Sequence, residues 1–126
     1  MNENEISKIV VDAGLKVHRT LGPGLLESAY EACLYHELCS RHLQVEKQKP
    51  LPLVYQGVQL EVGYRIDLLV ENKLVVEIKA VDALHVLHRA QILTYLRLSN
   101  CKLGLLINFN TVLFKEGVKR LIIGKI

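Results

Sequence analysis

The sequence lacks the features that mark several common classes of protein. It has no tryptophan, and its three cysteines are odd in number and form no Cys-x-x-Cys pair, which favours reduced thiols over a disulfide framework. No apolar run approaches the roughly 20 residues that a membrane span needs. The first ten residues, MNENEISKIV, begin acidic, unlike a signal peptide. We therefore expect a cytoplasmic protein with no membrane contact.

Basic runs, repeats and recognisable nucleotide loops are also absent. The formal net charge of +3 is a weak basic excess, which is compatible with nucleic acid but does not identify it. The segment Gly22-Pro23-Gly24 precedes a predicted helix but lacks the lysine of a P-loop. No arrangement typical of a nucleophilic serine is visible. The sequence therefore argues against a P-loop nucleotide-binding protein and against a serine hydrolase.

A length of 126 residues, half of them hydrophobic, predicts one domain over residues 1–126 with one core. Apolar periodicity changes from 3.6 to 2 near Val45 and predicts the order helix, helix, three strands, helix, two strands. The predicted helices are 5–21, 25–41 and 83–99, and the predicted strands begin near 45 and cover 58–70, 74–79, 103–108 and 118–123. Asp82 is the expected cap of the third helix. This pattern predicts an α/β or α+β fold with helices on the faces of a sheet.

The most apolar segment, VVEIKA at residues 75–80, contains two charges. Side chains alternate along a strand, so Glu77 and Lys79 should share one face. The preceding strand, YRIDLLV, carries Arg65 and Asp67 on one predicted face. Its other predicted face is apolar and consists of Tyr64, Ile66, Leu68 and Val70.

The turn between these strands predicts which residues face each other. A three-residue loop, Glu71-Asn72-Lys73, places Val70 opposite Leu74 and therefore Asp67 opposite Glu77. Opposed carboxylates about 5 Å apart repel by roughly 3 kcal/mol at an effective dielectric near 20. A divalent cation such as Mg²⁺ would offset that repulsion fully. Alternatively, the two acids and Lys79 form an exposed salt-bridge ladder.

Three further polar residues lie on or beside predicted apolar stripes. Glu27 lies early in the second predicted helix, where a carboxylate is also favourable because of the helix dipole alone. Gln91 and Tyr95 fall one turn apart on a stripe that we expect to face the core: Leu84, Leu87, Gln91, Tyr95 and Leu98. A buried glutamine needs partners, which a ligand or the Glu77 strand could supply; a satisfied amide at the helix margin is the alternative.

His85 and His88 are spaced three apart, as zinc ligands on a helix can be. No second pair of cysteines or histidines with matching spacing completes such a site. We therefore interpret this pair as solvated or as facing DNA.

Together, these residues resemble known signatures in their known order. Asp67 followed by Glu77-Ile78-Lys79 resembles the PD-(D/E)XK nuclease signature, with the proline of that motif replaced in Arg65-Ile66-Asp67. The segment Gln91–Tyr95 resembles the QxxxY motif of the recombination-type and phage-type exonucleases. Gly24–Tyr30, GLLESAY, is similar to the signature of the bacterial GxxExxY family. The similarity covers nearly the whole chain.

The resemblance implies a restriction-endonuclease-like core, a central mixed sheet flanked by helices in the order ααβββαββ. It implies Mg²⁺, or Mn²⁺ in its place, held by Asp67, Glu77 and the backbone carbonyl of Ile78, with Glu27 as an acidic partner. Lys79 would orient the attacking water and stabilise charge at phosphorus. Gln91 and Tyr95 would position the metal site, the Lys79 region or the nucleic acid. The implied reaction is phosphodiester hydrolysis, in DNA more than in RNA.

Several basic residues are candidates for contact with nucleic acid, and the chain could form a homodimer. The basic candidates for contact with nucleic acid are Lys47, Lys49, Arg65, His85, His88, Arg89 and Lys102. A homodimer would double the surface that so short a chain offers. Two other functions remain open: a catalytically inactive nuclease-fold module that binds nucleic acid or a protein partner, and a structural dimer subunit whose acidic face gives polarity to an interface.

Overall fold

The computed structural model describes all residues 1–126 and has the predicted order of elements. The elements are α1 (Glu3–Leu21), α2 (Glu27–Ser40), β1 (Val45–Tyr55), β2 (Val58–Val70), β3 (Leu74–Lys79), α3 (Val86–Ser99), β4 (Leu103–Asn108) and β5 (Val118–Ile122), with a short 3₁₀ helix, Phe114–Gly117, before β5. The strands form one sheet in the order β1-β2-β3-β4-β5. Only β3 and β4 are parallel, because α3 connects them as a crossover. The predicted α+β fold with a mixed sheet is confirmed.

Apolar side chains form one core on each face of the sheet. The first core packs α1 and α2 against the sheet through residues that include Ile6, Val10, Tyr30, Leu34, Leu68, Val70, Val76 and Ile78. The second packs α3 against the other face through residues that include Ile92, Tyr95, Leu96, Leu69, Val75 and Leu106. The segment 74–78 and all of β4 are buried because both faces are covered, which explains their nearly continuous apolar runs. None of the helices is both long and apolar enough to cross a membrane.

The predicted register of the hairpin between β2 and β3 is confirmed. Val70 lies opposite Leu74, and Leu68 lies opposite Val76. The turn has the three predicted residues, and both Glu71 (φ 53°) and Asn72 (φ 55°) adopt positive φ. This register brings Asp67 to the level of Glu77, one step beyond the last paired residues.

The prediction that Ile66, Leu68 and Val70 share one face of β2 is wrong, because Ile66 lies on the opposite face from the other two. Ile66 packs in the second core, whereas Leu68 and Val70 pack in the first. Strands β1 and β2 pair on either side of Gln48 and Asp67, but these two residues do not pair with each other. Gln48 also has a positive φ of 53°. Strict alternation requires a uniform pleat, which this left-handed residue interrupts. The strand therefore changes face at Asp67.

Helix α3 begins three residues later than predicted and presents a different stripe. Its N-cap is His85 and not Asp82. The Nδ1 atom of His85 accepts from the N–H of Leu87 (3.1 Å), and the Nδ1 atom of His88 accepts from the N–H of His85 (3.0 Å). The spacing of the two histidines thus forms a reciprocal helix cap. Leu87 is 68% exposed, and the buried residues of α3 are Ile92, Tyr95 and Leu96.

The hairpin of β1 and β2 extends beyond the rest of the sheet. Because β3 pairs only with Leu68–Val70, residues 51–64, here termed the hairpin arm, pair only with each other. Residues 50–60 contain no charge. The arm exposes several large apolar side chains: Val54, Tyr55, Val58, Leu60, Val62 and Tyr64. Strand β1 forms an edge of the sheet and contains Pro50 and Pro52.

Candidate active site

The start of α2 is fixed by the buried side chain of Tyr30. Its hydroxyl donates to the carbonyl of Gly22 (2.5 Å) and accepts from the N–H of Leu25 (3.2 Å). Its ring stacks on Phe109 with centroids 4.5 Å apart. Gly24 adopts φ 99°, which a side chain would disfavour. The spacing of glycine, glutamate and tyrosine is therefore explained by a turn that sets Glu27 at the first position of the helix.

Asp67 and Glu77 are held together across the hairpin. The N–H of Asp67 donates to Oε2 of Glu77 (3.1 Å), and the N–H of Ile78 donates to Oδ2 of Asp67 (2.8 Å). Each carboxyl group thus accepts a backbone hydrogen bond from the other strand, just past the end of the regular ladder. The structure therefore brings the two predicted acids into direct contact.

Burial dominates the electrostatics of this pair. Glu77 is only 4% exposed. Its burial, and then the hydrogen bond and negative charge of Asp67, raise the pKa of Glu77 to about 10, against a smaller opposing effect of Lys79. At neutral pH the metal-free chain therefore carries Glu77 in its protonated form.

A cavity of about 240 Å³ lies between α2 and the strands, beside this pair. Its lining consists of Glu27, Ser28, Glu31, Gln48, Asp67 and Ile78. Oε2 of Glu27 accepts from the N–H of Ala80 (3.4 Å). Burial, and to a smaller extent the charges of Asp67 and Glu27, raise the pKa of Glu31. Three carboxyl groups from two elements therefore surround one cavity, and Glu77 lies outside its lining.

The donor set of the cavity matches a hard divalent cation, since Mg²⁺ and Mn²⁺ prefer carboxylate and carbonyl oxygens. Burial first, and then the hydrogen bond and charge of Asp67, raise the pKa of Glu77, and the opposing effect of Lys79 is smaller. However, no three acidic, histidine or cysteine side chains are placed to hold one ion. Asp67, Glu77 and Glu27 would have to move closer to one another to hold one cation together.

Lys79 ends β3 beside these acids and is half-buried. Its ammonium group takes part in none of the three ion pairs of the chain. Its backbone carbonyl accepts from the N–H of Phe109 (2.9 Å). The buried amide of Asn108 donates to the carbonyl of Val81 (3.0 Å) and accepts from its N–H (3.1 Å). The backbone around Lys79 is thus fixed, while its side chain is free of partners.

Helix α3 carries Gln91 and Tyr95, of which only Tyr95 is buried as predicted. Nε2 of Gln91 donates to the hydroxyl of Tyr95 (3.0 Å). Burial, followed by the charges of Glu77 and Asp67, raises the pKa of Tyr95, so this buried phenol lies near the acids. Gln91 itself is exposed, contrary to the expectation that it faces the core. Its amide is satisfied within the helix.

The predicted contacts with nucleic acid lie at the surface around this region. The side chains of Arg65 and Arg89 are exposed and form no hydrogen bond or ion pair. Burial, and then the positive charges of Lys79 and His85, lower the pKa of His88, so His88 lies near Lys79. The structure thus groups His88 with the site and leaves both arginines free.

Sequence reasoning missed three residues of this region: Glu31, Gln48 and Asn108. Glu31 could have been found, because it lies one helical turn after Glu27 and shares its face. Asn108 ends the apolar run LGLLIN, where a polar side chain is unusual. Gln48 gives no signal, since its position depends on the left-handed backbone of β1.

Comparison with known proteins supplies one match that covers most of the chain. A family model described as the PD-(D/E)XK nuclease superfamily matches residues 4–121. Neither the curated proteins nor the solved structures contain a match. The matched residues include all those that line the cavity.

Proposed function

The chain belongs to the PD-(D/E)XK nuclease superfamily, and from that membership we propose that it is a divalent-metal-dependent nuclease that hydrolyses phosphodiester bonds in DNA. The main support is the direct contact of Asp67 with Glu77 beside a cavity that Glu27 also lines. We further propose that the chain belongs to the GxxExxY family within this superfamily. The turn that Gly24 and Tyr30 build in front of Glu27 supports that narrower assignment.

In this proposal, Asp67, Glu77 and the backbone carbonyl of Ile78 hold Mg²⁺, or Mn²⁺ in its place, with Glu27 as the acidic partner from α2. Bound Mg²⁺ would supply a water of lowered pKa and neutralise phosphate charge. Two carboxyl groups in contact, one of them with a pKa of about 10, favour a cation at this position because both could then ionise.

Lys79 would stabilise the negative charge that develops at phosphorus and orient the attacking water. The freedom of its ammonium group from ion pairs supports this role, because no other carboxylate competes for it. Tyr95, held by Gln91 and close to the acids, would position this group of residues. Arg65, His88 and Arg89 would contact the nucleic acid backbone.

A digestion assay with the purified protein tests this function. We expect cleavage of at least one of linear, nicked and branched DNA in Mg²⁺ or Mn²⁺, and none in EDTA. A parallel RNA substrate checks the preference for DNA. If no substrate is cleaved with either metal, the nuclease proposal is wrong. Salt-dependent DNA binding without cleavage would instead favour an inactive nucleic-acid-binding module.

We also propose that the protein forms a homodimer through its hairpin arm. The arm carries a single charged residue, Glu61, and exposes apolar side chains such as Tyr55, which is 61% exposed, and Val58. Exposed apolar patches of this kind are typical of protein interfaces. A second copy would cover both arms at once in a two-fold arrangement.

Light scattering during gel filtration tests the dimer. We expect the wild-type protein at twice the chain mass of 14.3 kDa. Val58→Glu should shift it to the monomer mass, because a charge would be buried in the interface. Val112→Glu is the matched control, since Val112 is 86% exposed and lies outside the arm. A monomeric wild type, or equal effects of both variants, would contradict the proposal.

A further inference from the structure

Gln48 bridges two carboxyl groups of the candidate site with one amide. Its Nε2 donates to Oε1 of Glu31 (2.6 Å) and to Oδ1 of Asp67 (3.2 Å), so both N–H bonds of the carboxamide are used. Carboxylates only accept hydrogen bonds, so the nitrogen end of the amide must face them. One neutral side chain from β1 thus connects α2 with β2 at the wall of the cavity.

The backbone of β1 is distorted where this bridge forms. Gln48 has φ 53° inside a strand, a left-handed conformation that residues other than glycine rarely adopt. It occurs where β2 changes face, next to Asp67. A strained backbone at a residue whose side chain binds two acids indicates a functional position, because an ordinary polar residue of an edge strand needs no strain.

The two oxygens of Asp67 consequently have separate fixed donors. Oδ1 accepts from Gln48, and Oδ2 accepts from the N–H of Ile78. A carboxylate oxygen has two acceptor sites, so neither of these two donors fills the oxygen that it contacts. These two hydrogen bonds determine the plane of the carboxylate without using up its capacity to bind a cation.

We propose that Gln48 is a positioning residue of the metal site, which orients the carboxylate of Asp67 and holds Glu31 beside it without adding charge. The inference rests on the proposed function, because it concerns the affinity of the same cavity for a divalent cation. Residues that orient metal ligands commonly change metal affinity about 10-fold when they are replaced.

Gln48→Gly separates this role from a purely structural one. Glycine removes the amide but accepts positive φ readily, so the backbone strain is relieved. We expect the melting temperature of the metal-free variant to stay within a few degrees of wild type. The Kd for Mn²⁺, measured by titration calorimetry, should rise about 10-fold. Retained stability together with weaker Mn²⁺ binding identifies positioning.

Gln56→Gly is the matched control. Gln56 is also a glutamine with positive φ (51°), but it lies at the tip of the hairpin arm, away from the cavity. Its Kd for Mn²⁺ should equal that of wild type. If Gln48→Gly also binds Mn²⁺ within twofold of wild type, the inference about Gln48 is wrong while the proposed function stands. If the wild-type protein binds no Mn²⁺, the proposed metal site and this inference both fail.

Discussion

Replacement of Lys79 by alanine is expected to lower the rate of DNA cleavage by about 10²–10³-fold, the usual effect of losing one group that stabilises charge in a transition state. Lys79 ends β3 next to the two acids, and its ammonium group has no ion-pair partner. Nothing in the fold depends on that group, so the melting temperature should stay close to wild type. Initial cleavage rates under saturating Mg²⁺ measure the effect.

Lys115→Ala provides the control for Lys79→Ala. Lys115 is exposed in the short 3₁₀ helix and does not line the cavity, so its loss removes the same charge without changing the lining. Cleavage by this variant should be within twofold of wild type. Equal rates for wild type and Lys79→Ala on every substrate would contradict the catalytic role of Lys79.

Replacement of Glu77 by glutamine should abolish cleavage and yet stabilise the metal-free protein at pH 8 by several kcal/mol. The pKa of Glu77 is about 10 in the folded chain and near 4.5 ordinarily. Between these values the unfolded chain loses its proton and the folded chain keeps it. The free energy of unfolding therefore falls as pH rises, by at most 1.36 kcal/mol per pH unit. Glutamine is neutral in both states and avoids this loss.

Urea denaturation with a chelator present, at pH 5 and at pH 8, measures the effect. Wild type should be less stable at pH 8, and Glu77→Gln should lose much less stability between the two values. Glu61→Gln, at an exposed position of the hairpin arm, is the control and should behave as wild type. If wild-type stability does not change with pH, or if Glu77→Gln is the less stable protein at pH 8, the folded chain does not keep Glu77 protonated and this prediction is wrong.

The hairpin that carries the candidate acids could be predicted from the sequence because its determinants are local. Asn72 tolerates the left-handed turn, and apolar residues on both sides leave one register that buries them. Asp67 then comes opposite Glu77 without any knowledge of the rest of the chain. The order of elements was predictable for the same reason, since each long element has its own periodicity.

The features that the sequence did not predict depend on distant partners. Asp82 has the chemistry of a helix cap, but Asn108 holds Val81 and the helix begins only at Val86. Strict alternation along β2 assumed a regular partner strand, whereas Gln48 interrupts it. Asn108 is distant in sequence from the start of α3, and Gln48 is distant from the part of β2 that it interrupts. Patterns of neighbouring residues therefore cannot predict either effect.

The two prolines of β1 limit how copies of this protein can associate. An exposed edge strand normally offers a template for further strands, and apolar segments without charge are those that grow into fibrils. Pro50 and Pro52 have no N–H to offer an incoming strand. The opposite edge, β5, carries Lys119 and Arg120, whose like charges oppose stacking. Both edges of the sheet thus carry residues that oppose growth by continuous backbone pairing.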